Sequence, residues 1–235
     1  MTALKNPAKA KILSGYFKTG PGEYGEGDVF WGLTVPLLRK LVKKNQELDH
    51  PAILSLLQSA VHEQRLLALL LLVHQYERGD AAARERIYRA YLANTQRINN
   101  WDLVDLSADR IVGAHLDGKS LEPLFKLTRS KDLWERRIAM LSTFHFTKHE
   151  DPGPALEIAE LLVDDRHDLI HKAVGWMLRE VGKRCSVKAE EAFLDRHAAT
   201  MPRTMLRYAI ERFPEPARRR YLEARISCRR TGRRC

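Results

Sequence analysis

Apolar positions along the chain recur at intervals of three and four, as in Leu66, Leu69, Leu70 and Val73 or Ile138 and Leu141. That interval lines one face of a 3.6-residue turn and predicts amphipathic helix. No stretch alternates with period two for long, and β-branched residues are sparse, so strands are not expected. Helices are predicted over Pro7–Phe17, Val35–Gln46, Pro51–Ala60, His62–Arg78, Asp80–Ile98, Trp101–Leu116, Ser120–Arg129, Leu133–Phe146, Pro154–Val163, Asp168–Arg184, Ala189–Thr200, Pro202–Phe213 and Pro216–Ile226. Breakers fall between them: Gly79-Asp80, Gly118, Asp151-Pro152-Gly153, Met201-Pro202 and Pro214-Glu215-Pro216.

Long helices begin near positions 62, 101, 133, 168 and 202, a spacing of roughly 32–39 residues, within the range of helical repeats. WDLVDLSADRIVG, LWERRIAMLSTF, IHKAVGWMLREVG and RTMLRYAIERF share one texture: bulky or charged at the start, small and apolar in the middle, charged near the end. A helix pair with one apolar face cannot bury it alone, so stacking of pairs is the stable solution. The expected fold is all-α, a curved α-solenoid forming one domain over 1–226, with a flexible basic tail over 227–235. The long helices are expected to line its concave face.

The exception to the helical pattern is Lys18–Leu33, KTGPGEYGEGDVFWGL. It spells G-x-G-x-x-G through Gly20, Gly22 and Gly25, but a dinucleotide loop needs a strand before it and a helix directly after. Here a helix precedes it, and Glu23, Glu26 and Asp28 would repel phosphate. A flexible connector fits its glycines better, with Tyr24, Phe30 and Trp31 available to pin it.

Composition narrows the class. The 235 residues are 44% hydrophobic and 30% charged, with 40 Lys+Arg against 30 Asp+Glu for a net charge of +10. This is too apolar for disorder and too charged for a membrane bundle. The longest apolar run, Leu66–Val73, is far short of the roughly 20 residues of a membrane span. The N-terminus shows no secretory apolar region. Cys185, Cys228 and Cys235 form no CxxC pair, which fits a reducing cytoplasm rather than a disulfide scaffold. The basic excess suggests nucleic acid as partner. Its distribution weakens that clue: residues 216–235 hold eight arginines and one glutamate, and the remaining 32 basic and 29 acidic residues leave only +3.

Four places could carry chemistry. Trp101 and Asp105, four apart, share a helix face, with Asn99 or Asn100 as N-cap; a core Trp beside a solvated Asp is the plainer reading. Arg137 follows Trp134 by three, and Arg136 beside it turns about 100° away, so one should face a groove and the other its rim. Trp176 lies between Lys172 and Arg179 on one stripe; buried charge is costly, which argues against a fully buried indole. Arg203 and Arg207 continue the stripe in the next pair. His145/His149 and His167/His171 have helical zinc spacing but neither the HExxH glutamate nor a third ligand, so no metal site is expected.

NPAKAKILSGYF, WDLVD, WERRIAMLSTF and HKAVGWMLRE carry a resemblance. From about Asn6 to about Phe213 the sequence is similar to the DNA alkylation repair family of HEAT-like-repeat DNA glycosylases, the AlkD-like proteins. The resemblance implies that Trp101 and Asp105 form the catalytic Trp–Asp pair. It further implies that Arg137 is the active-site arginine, Trp176 the second DNA-facing tryptophan and Tyr16 the tyrosine near the lesion. Lys172, Arg179, Arg203 and Arg207 are the further DNA-binding candidates. The implied activity is hydrolysis of the N-glycosidic bond of N3- and N7-alkylated purines in duplex DNA, without base flipping, without metal or organic cofactor, by a cytoplasmic monomer. The connector after Tyr16 is longer and more acidic than the family's pattern. The competing reading is a non-catalytic module that binds bent or branched DNA, or a protein partner.

Overall fold

The computed structural model describes residues 1–231, with side chains placed through position 223. Among them the protein is all-α. Fifteen α-helices follow in order: α1 (Pro7–Tyr16), α2 (Val35–Lys44), α3 (His50–Leu57), α4 (His62–Arg78), α5 (Ala81–Ala93), α6 (Trp101–Asp105), α7 (Ala114–Leu116), α8 (Glu122–Thr128), α9 (Leu133–Ser142), α10 (Phe144–Lys148), α11 (Gly153–Leu162), α12 (Asp168–Arg184), α13 (Val187–His197), α14 (Arg203–Ala209) and α15 (Glu215–Thr231). Among the described residues β pairing is confined to one isolated bridge, Val29 with Val61. No described helix is long and apolar enough to cross a membrane. The basic tail expected over 227–235 begins inside α15, and its last four positions lie outside the described residues.

The chain divides into two compact units, Met1–His115 and Leu116–Cys235. In the first, α4 is the hub, with α2, α3, α5 and α6 packed on it. Its run Leu66–Val73 is buried on every side, as expected of a helix that is apolar all round. Asp49 and Asp80 cap α3 and α5 by accepting from Ala52 N at 2.9 Å and Ala83 N at 2.8 Å. In the second unit α12 is the hub, packed by α9, α11, α13 and α14. Ile170, Ala173, Val174, Met177, Leu178 and Val181 form its buried face. Gly175 lets α14 approach closely: a Cβ there would lie 2.4 Å from the Met205 carbonyl oxygen. Helix pairs stacked on a shared neighbour are the local arrangement of an α-solenoid.

Two predicted long helices are broken. The helix expected over Trp101–Leu116 stops at Asp105 and resumes through a π-helical turn, Asp109–Gly113. Ser107 sits at the break, fully buried. Its Oγ donates to the Leu103 carbonyl at 2.5 Å and pairs with Tyr91 Oη at 2.9 Å. A hydroxyl that bonds back to the preceding turn competes with the helix ladder, and π turns are frequent at functional sites. The helix expected over Leu133–Phe146 is divided after Ser142, where Ser142 Oγ and Thr143 Oγ1 donate to the carbonyls of Ile138 and Met140.

The connector Lys18–Leu33 is tied down rather than loose. Buried Glu63, at the start of α4, accepts from the backbone N–H groups of Trp31, Gly32 and Leu33 at 2.7–3.2 Å. Gly32 has φ +80, and a Cβ there would lie 2.2 Å from the Asn6 carbonyl oxygen. Glu23 and Glu26 spend their carboxylates on the connector's own Gly20 and Gly22 N–H groups. Two of the acids expected to repel an anion are thus satisfied locally.

Candidate functional site

In the first unit, α6 presents the Trp–Asp pair. Asn100 is its N-cap, fully buried, with Oδ1 accepting from Trp101 N at 2.9 Å. Trp101 and Asp105 are both half-buried, whereas Asp102, Leu103 and Val104 turn inward. Asp105 is the last residue of α6, at the carbonyl end, where helix polarity disfavours a carboxylate. Its charge is felt by Tyr91: burial pushes that buried hydroxyl well up, and Asp109 and Asp105 push it further.

The indole of Trp101 stacks on Phe17, with centroids 5.0 Å apart and planes at 15°. Phe17 directly follows Tyr16, so the end of α1 and the start of α6 are brought together. Tyr16 itself is 67% exposed, and its carbonyl accepts from Tyr24 Oη at 3.4 Å. Phe17 stacks in turn on Phe30 of the connector at 5.1 Å, and Phe30 on His62 of α4 at 4.8 Å. Phe17 also meets His62 at 4.7 Å, so these three rings form a triangle on which the Trp101 indole stacks through Phe17.

His62 also belongs to a buried charge cluster that sequence reasoning missed. His62 Nε2 is 2.8 Å from Asp102 Oδ2, and its Nδ1 is 3.2 Å from Asp28 Oδ2. Arg65 Nη2 reaches Asp28 Oδ1 at 2.7 Å, and Asn100 Nδ2 donates to Asp28 Oδ2 at 3.3 Å. Burial pushes the imidazole down, but its hydrogen bonds to Asp102 and Asp28 outweigh that and raise it to about 9. For Asp28, burial pushes the carboxyl up, and the His62 bond and the Arg65 charge more than reverse it. A signal was present: His-Glu-x-Arg opens a helix whose apolar run demands burial, and charges there need partners.

In the second unit, Arg137 is 5% exposed, and its Nη1 donates to the Leu169 carbonyl at 2.5 Å, joining α9 to the start of α12. Arg136 is half-buried and pairs with Asp165 at 2.6 Å. Trp176 is half-buried, its ring tilted against Phe144 with centroids 5.9 Å apart. The flanking cations have intramolecular partners: Lys172 pairs with Asp168 at 2.7 Å, and Arg179 with Glu211. Arg203 donates to the Leu222 carbonyl at 3.0 Å, and Arg207 is exposed.

The histidine pairs serve local structure. His145 pairs with Asp117 at 3.2 Å, and His167 Nδ1 accepts from Leu169 N as the N-cap of α12. Among the described residues no three His, Cys, Asp or Glu side chains are grouped to hold a metal ion.

The fold is shared with a solved structure described as a "Predicted DNA alkylation repair enzyme from Enterococcus faecalis", with a TM-score of 0.66 at 17% identity, over 90% of this chain and 97% of that one. No curated protein matches the chain. The family model for the DNA alkylation repair enzyme matches residues 1–213, a span that takes in α1, the connector and the α6, α9, α12 and α14 residues described above. The chain belongs to the DNA alkylation repair enzyme family.

Proposed function

We propose that the protein is a monofunctional DNA glycosylase that hydrolyses the N-glycosidic bond of N3- and N7-alkylated purines in duplex DNA. The observation that carries this reading is the placement of Trp101 and Asp105: adjacent on one face of α6, part-exposed, while the neighbouring Asp102 is sequestered in the cluster behind. Asp105 stands at the carbonyl end of a short helix, where helix polarity disfavours a carboxylate, and a negative charge at that place suits a cationic transition state.

The chemistry suits the lesion. An N7- or N3-alkylated purine carries a positive charge, so its bond to C1′ is already weakened and the base leaves neutral without an acid. The barrier is the oxocarbenium character of the deoxyribose. Asp105 stabilises that charge and orients a water. The C1′–N bond breaks, the water oxygen bonds to C1′, and the water proton passes to the carboxylate. The Trp101 indole face favours the developing cation. In the first unit Tyr16 contacts the duplex near the lesion, which stays in or near the helical stack; in the second, Arg137 and Trp176 contact the DNA backbone. On binding, Lys172 and Arg179 exchange their carboxylate partners Asp168 and Glu211 for phosphate.

Release of 7-methylguanine from methylated duplex DNA tests the reading. Release that depends on Asp105 supports it. Duplex binding without release, at high enzyme concentration, supports a non-catalytic DNA-binding module instead.

A further inference from the structure

We propose that His62 is the positioning residue of the Trp101 site: it clamps the Lys18–Leu33 connector to the start of α6 and so sets where the indole sits. The inference rests on the role given to Trp101 above.

α6 has five residues, too few to hold its own orientation by hydrogen bonding alone. Its start is fixed from outside instead. Asn100 accepts from Trp101 N and donates to Asp28, and Asp102, the next residue after Trp101, is held by His62. On the other side Phe17 lies between the indole and Phe30. His62 contacts both phenylalanines, with centroids 4.7 Å from Phe17 and 4.8 Å from Phe30. The ring contacts and the hydrogen bonds thus close on themselves: Trp101, Phe17, His62, Asp102 and back to Trp101, with Phe30 packed against both Phe17 and His62. Moving His62 moves the indole by either route.

The cluster is an expensive way to fill a core. Apolar residues of similar volume often serve stability as well as a buried ion pair does, and such pairs are best justified where they specify one arrangement. Here two carboxylates, one imidazolium and one guanidinium balance in charge and hold three segments in register. The charged groups facing His62 are Asp28 from the connector, Asp102 from α6 and Arg65 from α4 itself. Both ring nitrogens face carboxylates, so both must donate, and only the doubly protonated ring does so. Losing one proton releases one of the two carboxylates and opens the clamp. Misplacing a group that contacts the reacting centre by about 1 Å costs on the order of a hundredfold in rate.

The test uses the full chain labelled with 5-fluorotryptophan, the Trp101 resonance being assigned with Trp101→Phe. His62→Phe keeps a ring against Phe17 and Phe30 and donates nothing; His62→Gln keeps one side's donor. In the wild type the Trp101 fluorine resonance should move as pH rises through about 9, and in His62→Phe it should already sit displaced and show no such step. Turnover of 7-methylguanine sites should fall about a hundredfold in His62→Phe and less in His62→Gln, with KM for duplex within about threefold of wild type. A Trp101 resonance indifferent to pH across this range overturns the proposal, as does a folded His62→Phe with wild-type kcat. If the wild type releases no base, the glycosylase reading falls and the fluorine titration alone decides the clamp. If His62→Phe does not fold, His62→Gln and the wild-type titration decide it.

Discussion

His62 Nε2 lies 2.8 Å from Asp102 Oδ2, so a buried imidazole on α4 holds the residue that directly follows Trp101. The folded-state value of this imidazole, about 9, stands above its ordinary 6.5. The folded protein therefore keeps a proton that the unfolded chain gives up. The resulting stability is fully present below pH 6.5 and is lost as pH rises through 9, and the shift corresponds to at most about 3 kcal/mol. Urea unfolding at pH 7 and pH 10 should show the wild type losing more stability than His62→Phe over the same interval. Equal losses would mean that the imidazolium adds nothing.

Glu190 titrates with the opposite consequence. Burial, followed by the charge of Glu191, raises its carboxyl to about 8, and Oε1 is buried without a hydrogen-bond partner among the described residues. The unfolded chain ionises this group at its ordinary 4.5 while the folded protein keeps it protonated, so stability falls between about pH 4.5 and 8. Glu190→Gln should leave stability nearly unchanged at pH 4.5 and raise it at pH 8, read as the shift in the urea midpoint. A loss of stability at pH 8 would show that the carboxylate is better paired than this account allows.

The connector's order depends on Gly32 and Glu63. Gly32→Ala forces a side chain into the Asn6 carbonyl at a positive φ, and should cost at least about 2 kcal/mol in denaturant unfolding. Glu63→Ala strands three buried or half-buried N–H groups, each worth about 1–3 kcal/mol when left unpaired. Amide exchange at Trp31–Leu33 should quicken in both variants, and unchanged protection would contradict the tethering.

Trp176→Ala separates packing from contact with DNA. The ring is half-buried against Phe144, so truncation should cost about 2 kcal/mol or more of stability. The proposed DNA contact adds a weakening of duplex affinity, measured by anisotropy at a temperature where the variant is fully folded. Unaltered affinity and turnover would leave Trp176 as packing alone.

The parts of the structure legible in the sequence are those set by local spacing. α4 was legible because Leu66–Val73 is an unbroken apolar run on a helical interval, and α12 because its buried residues recur at three and four. The Trp101–Asp105 face followed from four-residue spacing, and the family from the motifs around it. The break after Asp105 was not legible, because it depends on Ser107 meeting Tyr91, a partner from another helix. Nor was the charge cluster: Asp28 and Asp102 lie 34 and 40 residues from His62, and no periodicity links them. The connector's glycines suggested mobility, whereas Gly32 serves a close backbone approach. Helical spacing places Lys172 and Arg179 on one stripe but does not reveal that Arg179 meets Glu211, 32 residues away.

The central claim is that Asp105 works on the glycosidic bond. Single-turnover release of 7-methylguanine from a methylated duplex, with wild type and Asp105→Asn side by side and duplex affinity measured on the same samples, tests it most directly. The account predicts release by the wild type, a loss of at least about a hundredfold in the variant, and duplex affinity that is unchanged or slightly tighter because a negative charge has been removed. Equal release by both proteins, or none by the wild type at high enzyme concentration, would contradict it.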